Sequence, residues 1–291
     1  MTLRVRHVTA YEYEDPVELA AHMVHLRPRT LPFQAVRSYA LDVQPRPERV
    51  VEGQDYFGNP VAWVFLSGAH GELRVSTDSA VDVSPRPAPD PSATPAWEHV
   101  AGQAPMSDAA EFVFPSPRVP LLPAAREWAA PSFPLGRPVL DGLLDLMHRI
   151  SDGFRFDPEV TTVSTTVAKV LELRAGVCQD FAHVMIAGLR ALGLPARYVS
   201  GYLRTSPPPG QPRLVGADQS HAWVGAWLGP AHGWVDLDPT NALVVGDGHV
   251  VLGWGRDYSD VSPVRGVLLG GGDHTLHVSV DIEPLEERKE T

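Results

Sequence analysis

The chain reads as an α+β protein in which helices pack on an antiparallel sheet, preceded by an antiparallel β domain. Three observations predict this. From Leu3 to Val83, short alternating runs are separated by Gly, Pro and Asn, the pattern of strands and turns. From Leu140 to Leu192 the apolar spacing lengthens to that of buried helices, and after Ala196 alternation returns. Between the first two regions lies a stretch so rich in proline that it suits neither a sheet ladder nor a long helix.

Taken in order, Leu3, Val5 and His7 alternate with Arg4, Arg6 and Val8 and continue to Tyr11 and Tyr13, an opening strand. Residues 18–27, 35–45, 48–57, 60–67 and 71–83 read as further short strands, with Gly58-Asn59-Pro60 a turn. Residues 1–83 are therefore expected to form an N-terminal antiparallel β domain. His22 and His25, three residues apart in a strand, fall on opposite faces, which favours structural roles over a metal pair. Residues 84–138 form a Pro-rich linker or wrapping segment with a short helix near Ala124–Ala129, and both wrapping the core and lining a cleft are open to it.

Residues 139–245 are the expected core. Apolar positions 140, 143, 144, 146, 147 and 150 predict one helix, and Val167, Val170, Leu171 and Leu173 a second that leads into Gly176. A third runs from about Cys178 to Leu192, stopped by Gly193 and Pro195. Ala196–Leu203 is a strand. The loop Pro207–Pro212 precedes His221 closely enough to rim a cleft. Strands at 241–252 and 274–283, with a glycine-rich flexible turn at 266–272 between them, complete the fold over 246–291. Gly270-Gly271-Gly272 lacks the strand-to-helix setting of a phosphate loop.

Cys178, the only cysteine, begins the third helix, where the macrodipole and unpaired backbone N–H groups favour negative charge and can cradle an oxyanion. Two later segments offer it a base. Ser220–Leu228 alternates as a strand, and Gly233–Asn241 reads as its return across the loop Gly229-Pro230-Ala231-His232. If Leu228 pairs with Gly233, Trp223 faces Asp238 and His221 is the diagonal neighbour of Asp238 on the same side. Asp236 shares that side but lies nearer the turn, so spacing prefers Asp238 without excluding Asp236. A Cys, His and Asp in this order form a thiol version of triad logic. Alone, Cys178 would be a small buried hydrophobe and His221 a satisfied strand residue. Gln179 and Asp180 suit roles that hold the site, with Arg174 or Arg197 as a partner for Asp180. Trp223, Trp227 and Trp234 are core residues of the hairpin, one of them open to walling an acyl pocket. His183 lies too far along the helix to replace His221.

These segments resemble the transglutaminase-like superfamily of cysteine enzymes. The matching words are Gly176-Val177-Cys178-Gln179-Asp180-Phe181, Ser220-His221-Ala222-Trp223-Val224 and Gly233-Trp234-Val235-Asp236-Leu237-Asp238-Pro239-Thr240-Asn241. Leu3–His7, Tyr11–Tyr13, Leu26–Arg29 and Asp55–Asn59 look like the N-terminal region of bacterial members, and Gly255–Pro263 like their C-terminal end. The resemblance implies a papain-like, transglutaminase-like core in which Cys178 is the nucleophile, His221 the general base and acid, and Asp238 the residue orienting the histidine. It implies a thioester acyl-enzyme formed from a peptide or carboxamide. Hydrolysis of a peptide or isopeptide bond is the first expectation, transamidation of protein glutamine the second, and a non-catalytic binding or scaffold module the competing one.

Composition narrows the partners. A net charge of −11 without a basic run argues against nucleic acid and acidic membrane surfaces, and the peptide or protein substrate is what the resemblance implies. Oligomeric state is left open. One cysteine builds neither a disulfide nor a multi-thiolate zinc site, and a lone thiol suits a reducing compartment. With no apolar leader or spanning segment in the sequence, the expectation is a cytoplasmic protein. No cofactor or metal is expected: Asp257 and Asp260 lack a third clustered ligand, and a zinc site of Cys178, His221 and Asp238 is the remaining alternative.

Overall fold

The structure, a computed structural model, describes residues 1–204 and 219–285. Four strands open the chain: β1 (Thr2–Val24), β2 (Gln34–Gln44), β3 (Arg49–Gln54) and β4 (Pro60–Val83). β1 and β4 pair antiparallel along nearly their whole lengths, while β3 and β2 cover successive halves of β4. Alternation predicts two strands where β1 runs on, and again where β4 does. The residues that look like turns, around Pro16 and around Gly68, are bulges: the β1–β4 register shifts between Glu12 and Val17 and again before Leu19. A bulge bends both strands together without ending either, and it tolerates a proline because the ladder is already interrupted there.

Residues 84–138 cross to the helices, carrying α1 (Trp97–Gln103) and α2 (Pro123–Ala129). α3 (Val139–Gly153) follows, then β5 (Arg155–Phe156), α4 (Val167–Leu173) and β6 (Ala175–Gly176), which pairs parallel with β5. α5 (Cys178–Ala191) is buried from Gln179 to Arg190, as expected of a helix apolar on all sides. Buried Arg190 is compensated by the carbonyls of Ala196, Phe114 and Arg256, which accept from its guanidinium. The Pro-rich segment packs over this layer, because Val100, Val119, Ala125, Ala129 and Phe133 share one apolar core with Met185 of α5.

Under α5 lies a five-stranded sheet in the order β10-β9-β8-β7-β11. Its members are β7 (Ala196–Leu203), β8 (Gln219–Trp227), β9 (Trp234–Asp238), β10 (Leu243–Val244) and β11 (His249–Gly255). The last two replace the single strand expected at 241–252. Ala222, Val224 and Ala226 face the helices, whereas Trp223, the intervening residue, joins Val199, Val245 and Val251 in a separate cluster. Chain leaving β10 therefore crosses that second face to reach β11 at the opposite edge.

β12 (Val264–Gly270) and β13 (His274–Pro284) then return to the N-terminal sheet, where β13 pairs with the first half of β1 and β12 with the second. The expected long turn at 266–272 shrinks to Gly270–Gly272, with φ of +93°, +94° and +59°. Val267, Leu268 and Leu269 are strand formers, and Gly266 is needed because a Cβ there would meet the carbonyl of Ala21. Tyr202, Val250 and Leu252 of the core sheet are buried with Leu3, Val5, Val81 and Ile282 of the N-terminal sheet, so the two sheets share an apolar core.

Candidate active site

α4 ends at Arg174 in the left-handed region (φ +50°), and β6 turns the chain into α5. Glycine is required at 176 because a Cβ there would lie 2.5 Å from Asp180 Oδ2. That oxygen reaches back over the turn to accept the Val177 N–H at 2.9 Å and the Thr161 hydroxyl at 2.7 Å. Asp180 thus pairs with neither Arg174 nor Arg197. Arg174 lies over Trp128 and Arg197 between Trp234 and Trp254, while the Val177 N–H at its own helix start is nearer to Asp180. The N–H groups of Asp180 and Phe181 both go to the Val177 carbonyl. Those of Cys178 and Gln179, at the very start, are left without an intrahelical acceptor.

The hairpin carries the second part. Leu228 N–H donates to Gly233, and the β8–β9 register pairs Gly225 with Asp236 and Val224 with Leu237, which sets Asp238 across from Trp223. His221 meets Asp238 on the diagonal, with Nε2 2.7 Å from Oδ2. Asp238 is fully buried, and its other bonds come from the Thr240 and Asn241 N–H groups to Oδ1 and from the Asn241 amide and His249 to Oδ2. An ionised carboxylate only accepts, so His221 carries its proton on Nε2 and leaves Nδ1 for Cys178.

Electrostatics follow. Burial works against the charged ring of His221, but the hydrogen bonds to Asp238 and Cys178, together with their charges, outweigh it and raise the imidazole to about 10. Burial also opposes ionisation of Asp238, yet the hydrogen bonds from His221 and His249, the charge on His221 and the Asn241 amide hold it well below the usual carboxylate range.

The other expected residues separate. Asp236 turns to arginines: Arg86 Nη1 stands 2.6 Å from Oδ2, and Arg197 Nη2 3.9 Å from Oδ1. Trp223 is fully buried and meets the ring of His249 edge-on at 5.2 Å, supporting that ring without lining the cavity. Gln179 does line it, with Nε2 3.4 Å from the Val163 carbonyl. His183 is buried, accepts the Tyr258 N–H, and is pushed down to about 4 by burial. Asp257 accepts from Arg118 and Ser259, and Asp260 pairs with Arg256. The expected rim loop 207–212 lies outside the described residues.

His249 is the neighbour of Asp238 that sequence reasoning misses. It is the first residue of β11, reached by the crossover from β10, and no spacing rule places a residue after such a crossover beside Asp238. Asn241 stands in the quoted motif, but only its position just past β9 reveals it as a second donor to the carboxylate.

Cys178 and His221 open onto one cavity of about 330 Å³. Its far wall comes from the N-terminal sheet: His7, Thr9 and Tyr11 on β1, and Leu276 and Val278 on β13. Residues 84–138 contribute nothing to the described lining, so that segment wraps the helices. The donor atoms of His221, Asp238 and His249 lie within 4.8 Å of one another, close enough to share a divalent ion at the cost of the His221–Asp238 hydrogen bond. Among the described residues, no helix is long and apolar enough to cross a membrane.

A helix-borne thiol facing a strand-borne histidine and aspartate defines a class of papain-like and transglutaminase-like folds. Comparison with known proteins gives the family. The model of the bacterial transglutaminase-like N-terminal region matches residues 3–82, and that of the transglutaminase-like superfamily matches 134–239. An uncharacterized protein of Mycobacterium tuberculosis is 41% identical, with 97% of this chain and 93% of that protein covered. One from Mycobacterium leprae is 32% identical, with 97% and 99% covered. A protein-glutamine gamma-glutamyltransferase of Pseudomonas aeruginosa is 42% identical over 99 residues, 34% of this chain and 15% of that enzyme. The crystal structure of a candidate cysteine protease from Cytophaga hutchinsonii superposes with a TM-score of 0.76 at 20% identity, covering 99% of this chain and 91% of that one, and so shares the fold. The chain belongs to the transglutaminase-like superfamily.

Proposed function

We propose that the protein is a cysteine-dependent acyl-transfer enzyme acting on a peptide or protein carboxamide, with water as the acceptor. The observation that carries the reading is the convergence of Cys178, at the start of α5, and the Asp238-bonded ring of His221 on one cavity. The Cys178 thiol gives its proton to His221 Nδ1, and the thiolate attacks the substrate carbonyl carbon, forming a C–S bond as the carbonyl electrons move to oxygen. The N–H groups of Cys178 and Gln179 are available to that oxyanion, and one such donor is worth about 3 kcal/mol. When the intermediate collapses the C–N bond breaks, and the ring of His221 gives its proton to the leaving amine. Water then attacks the thioester as His221 Nδ1 takes its proton, the C–S bond breaks, and the carboxylic acid departs while the Nδ1 proton passes back to the released sulfur. Asp238 fixes the tautomer throughout.

Water is favoured as acceptor because, among the described residues, no Asp or Glu lines the cavity to draw a lysine ammonium into it. Transamidation is the second reading, supported by the likeness of the core to the Pseudomonas aeruginosa enzyme. Intact-mass detection of an acyl adduct from activated peptide esters tests both. An adduct that requires Cys178 and His221 and decays at a rate indifferent to added amine supports a hydrolase, whereas acceleration by amine supports the transferase. No adduct with any donor overturns the acyl-transfer reading.

A further inference from the structure

The N-terminal sheet supplies one wall of the cavity, and the chemistry of that wall is distinctive. β1 and β13 pair Thr9 with Val278 and Tyr11 with Leu276, and all four line the cavity. Leu276 and Val278 are 49% and 52% exposed, large apolar side chains left to water on an edge strand, and they line the same space as the Cys178 thiol. Tyr198 and Tyr258 line the same space. Among the described residues, no Asp, Glu, Lys or Arg lines the space, and the ring of His221, which holds its proton there, is already engaged by Asp238 and Cys178, so a charged side chain entering would lose its water with little return. A volume of about 330 Å³ is at the small end of ligand sites, enough for one bulky side chain beside the reacting amide.

We propose that this wall is the specificity surface of the enzyme, and that the preferred acyl donor is a peptide carrying a bulky apolar or aromatic side chain at the scissile carbonyl. The inference rests on the acyl-transfer reading above and gives the N-terminal sheet its function. Docking the sheet against the core completes the substrate site, because neither part alone encloses the side chain. Seating a leucine or phenylalanine between Val278 and Tyr198 takes its apolar surface out of water, which favours such donors over glycine, glutamine or aspartate by roughly 10- to 100-fold in kcat/KM.

The test is a series of activated peptide esters with one leaving group and Phe, Leu, Gly, Gln or Asp as the acyl residue. Acylation of Cys178 is followed by single-turnover intact mass in the wild type, Leu276→Ala and Val278→Lys, with circular dichroism to check that each variant folds. Both substituted residues lie half-exposed on an edge strand, so the fold can absorb the changes. The expected result is a preference for Phe and Leu in the wild type, reduced in Leu276→Ala and shifted toward Asp in Val278→Lys. Equal rates across the donors, or a preference untouched by both variants, overturns the inference while leaving the acyl-transfer reading intact. Failure of every donor to acylate Cys178 overturns that reading and the inference with it.

Discussion

Asp238 and Asp236 lie two residues apart on β9, yet only Asp238 meets His221: its Oδ2 stands 2.7 Å from the ring, while Asp236 is held 2.6 Å from Arg86. The two carboxylates therefore serve different ends, which substitution separates. Asp238→Asn puts an amide where the ring needs an acceptor, permits the wrong tautomer, and should slow acylation by roughly 10⁴-fold. Asp236→Asn should leave acylation within a few-fold but strand Arg86 and Arg197, lowering stability by about 3 kcal/mol. Single-turnover acylation and urea unfolding of both variants check the split, and equal kinetic losses would refute it.

The pH profile follows from the same pair. With His221 raised to about 10, acylation should persist well above neutrality and fall as pH rises through about 10. Stability carries the matching signature. The folded ring keeps a proton that the unfolded chain gives up near its ordinary 6.5, so this contribution is full below 6.5 and is lost as pH rises toward 10. His7 and His183 act in the opposite direction: burial lowers both to about 4, so they favour the folded state above 6.5 and that favour is lost as pH falls toward 4. Urea unfolding from pH 4 to 10 should show His221→Gln flattening the alkaline side and His183→Gln the acid side. An alkaline limb of acylation near 7 would show that His221 does not hold its proton in this way.

His249 is expected to act through Asp238. Its Nε2 lies 3.3 Å from the carboxylate oxygen that also receives His221, and Trp223 packs its ring in place. Removing it in His249→Ala costs a hydrogen bond to a charged group, about 1.5–3 kcal/mol, and should slow acylation by about 10- to 100-fold. With one donor fewer, Asp238 attracts the His221 proton more strongly, so the alkaline limb should move upward. A merely structural role would lower stability and leave the limb where it is.

Legibility in the sequence tracked how local the physics was. Cys178 at a helix start, and His221 diagonal to Asp238, were readable because a glycine turn and a four-residue hairpin loop fix those relations within one or two elements. Charge complementarity points Asp180 to arginines, whereas its donors are the Val177 N–H at its own helix start and the Thr161 hydroxyl. β1 and β4 were cut in two because a bulge and a turn use the same residues, Pro16 and Gly68 among them. His249 and the wall of Thr9, Tyr11, Leu276 and Val278 were not readable at all. Their positions depend on a crossover and on the docking of two sheets, neither of which leaves a periodic trace.

The turn before Cys178 joins fold to the proposed chemistry. Gly176 lies against Asp180, and a methyl group there would press on the oxygen that binds Val177 N–H and Thr161. Gly176→Ala must move either the start of α5 or Asp180, and both moves displace Cys178 relative to His221. A displacement of about 1 Å at a reacting centre costs on the order of 100-fold. The variant should therefore fold with a stability loss of about 1–3 kcal/mol and acylate about 100-fold more slowly. Thr161→Val offers the control, since it removes one bond to Asp180 without crowding the turn and should cost about 1 kcal/mol with a much smaller kinetic loss. If Gly176→Ala acylates at the wild-type rate, the position of Cys178 does not depend on the close approach of Asp180 to this turn.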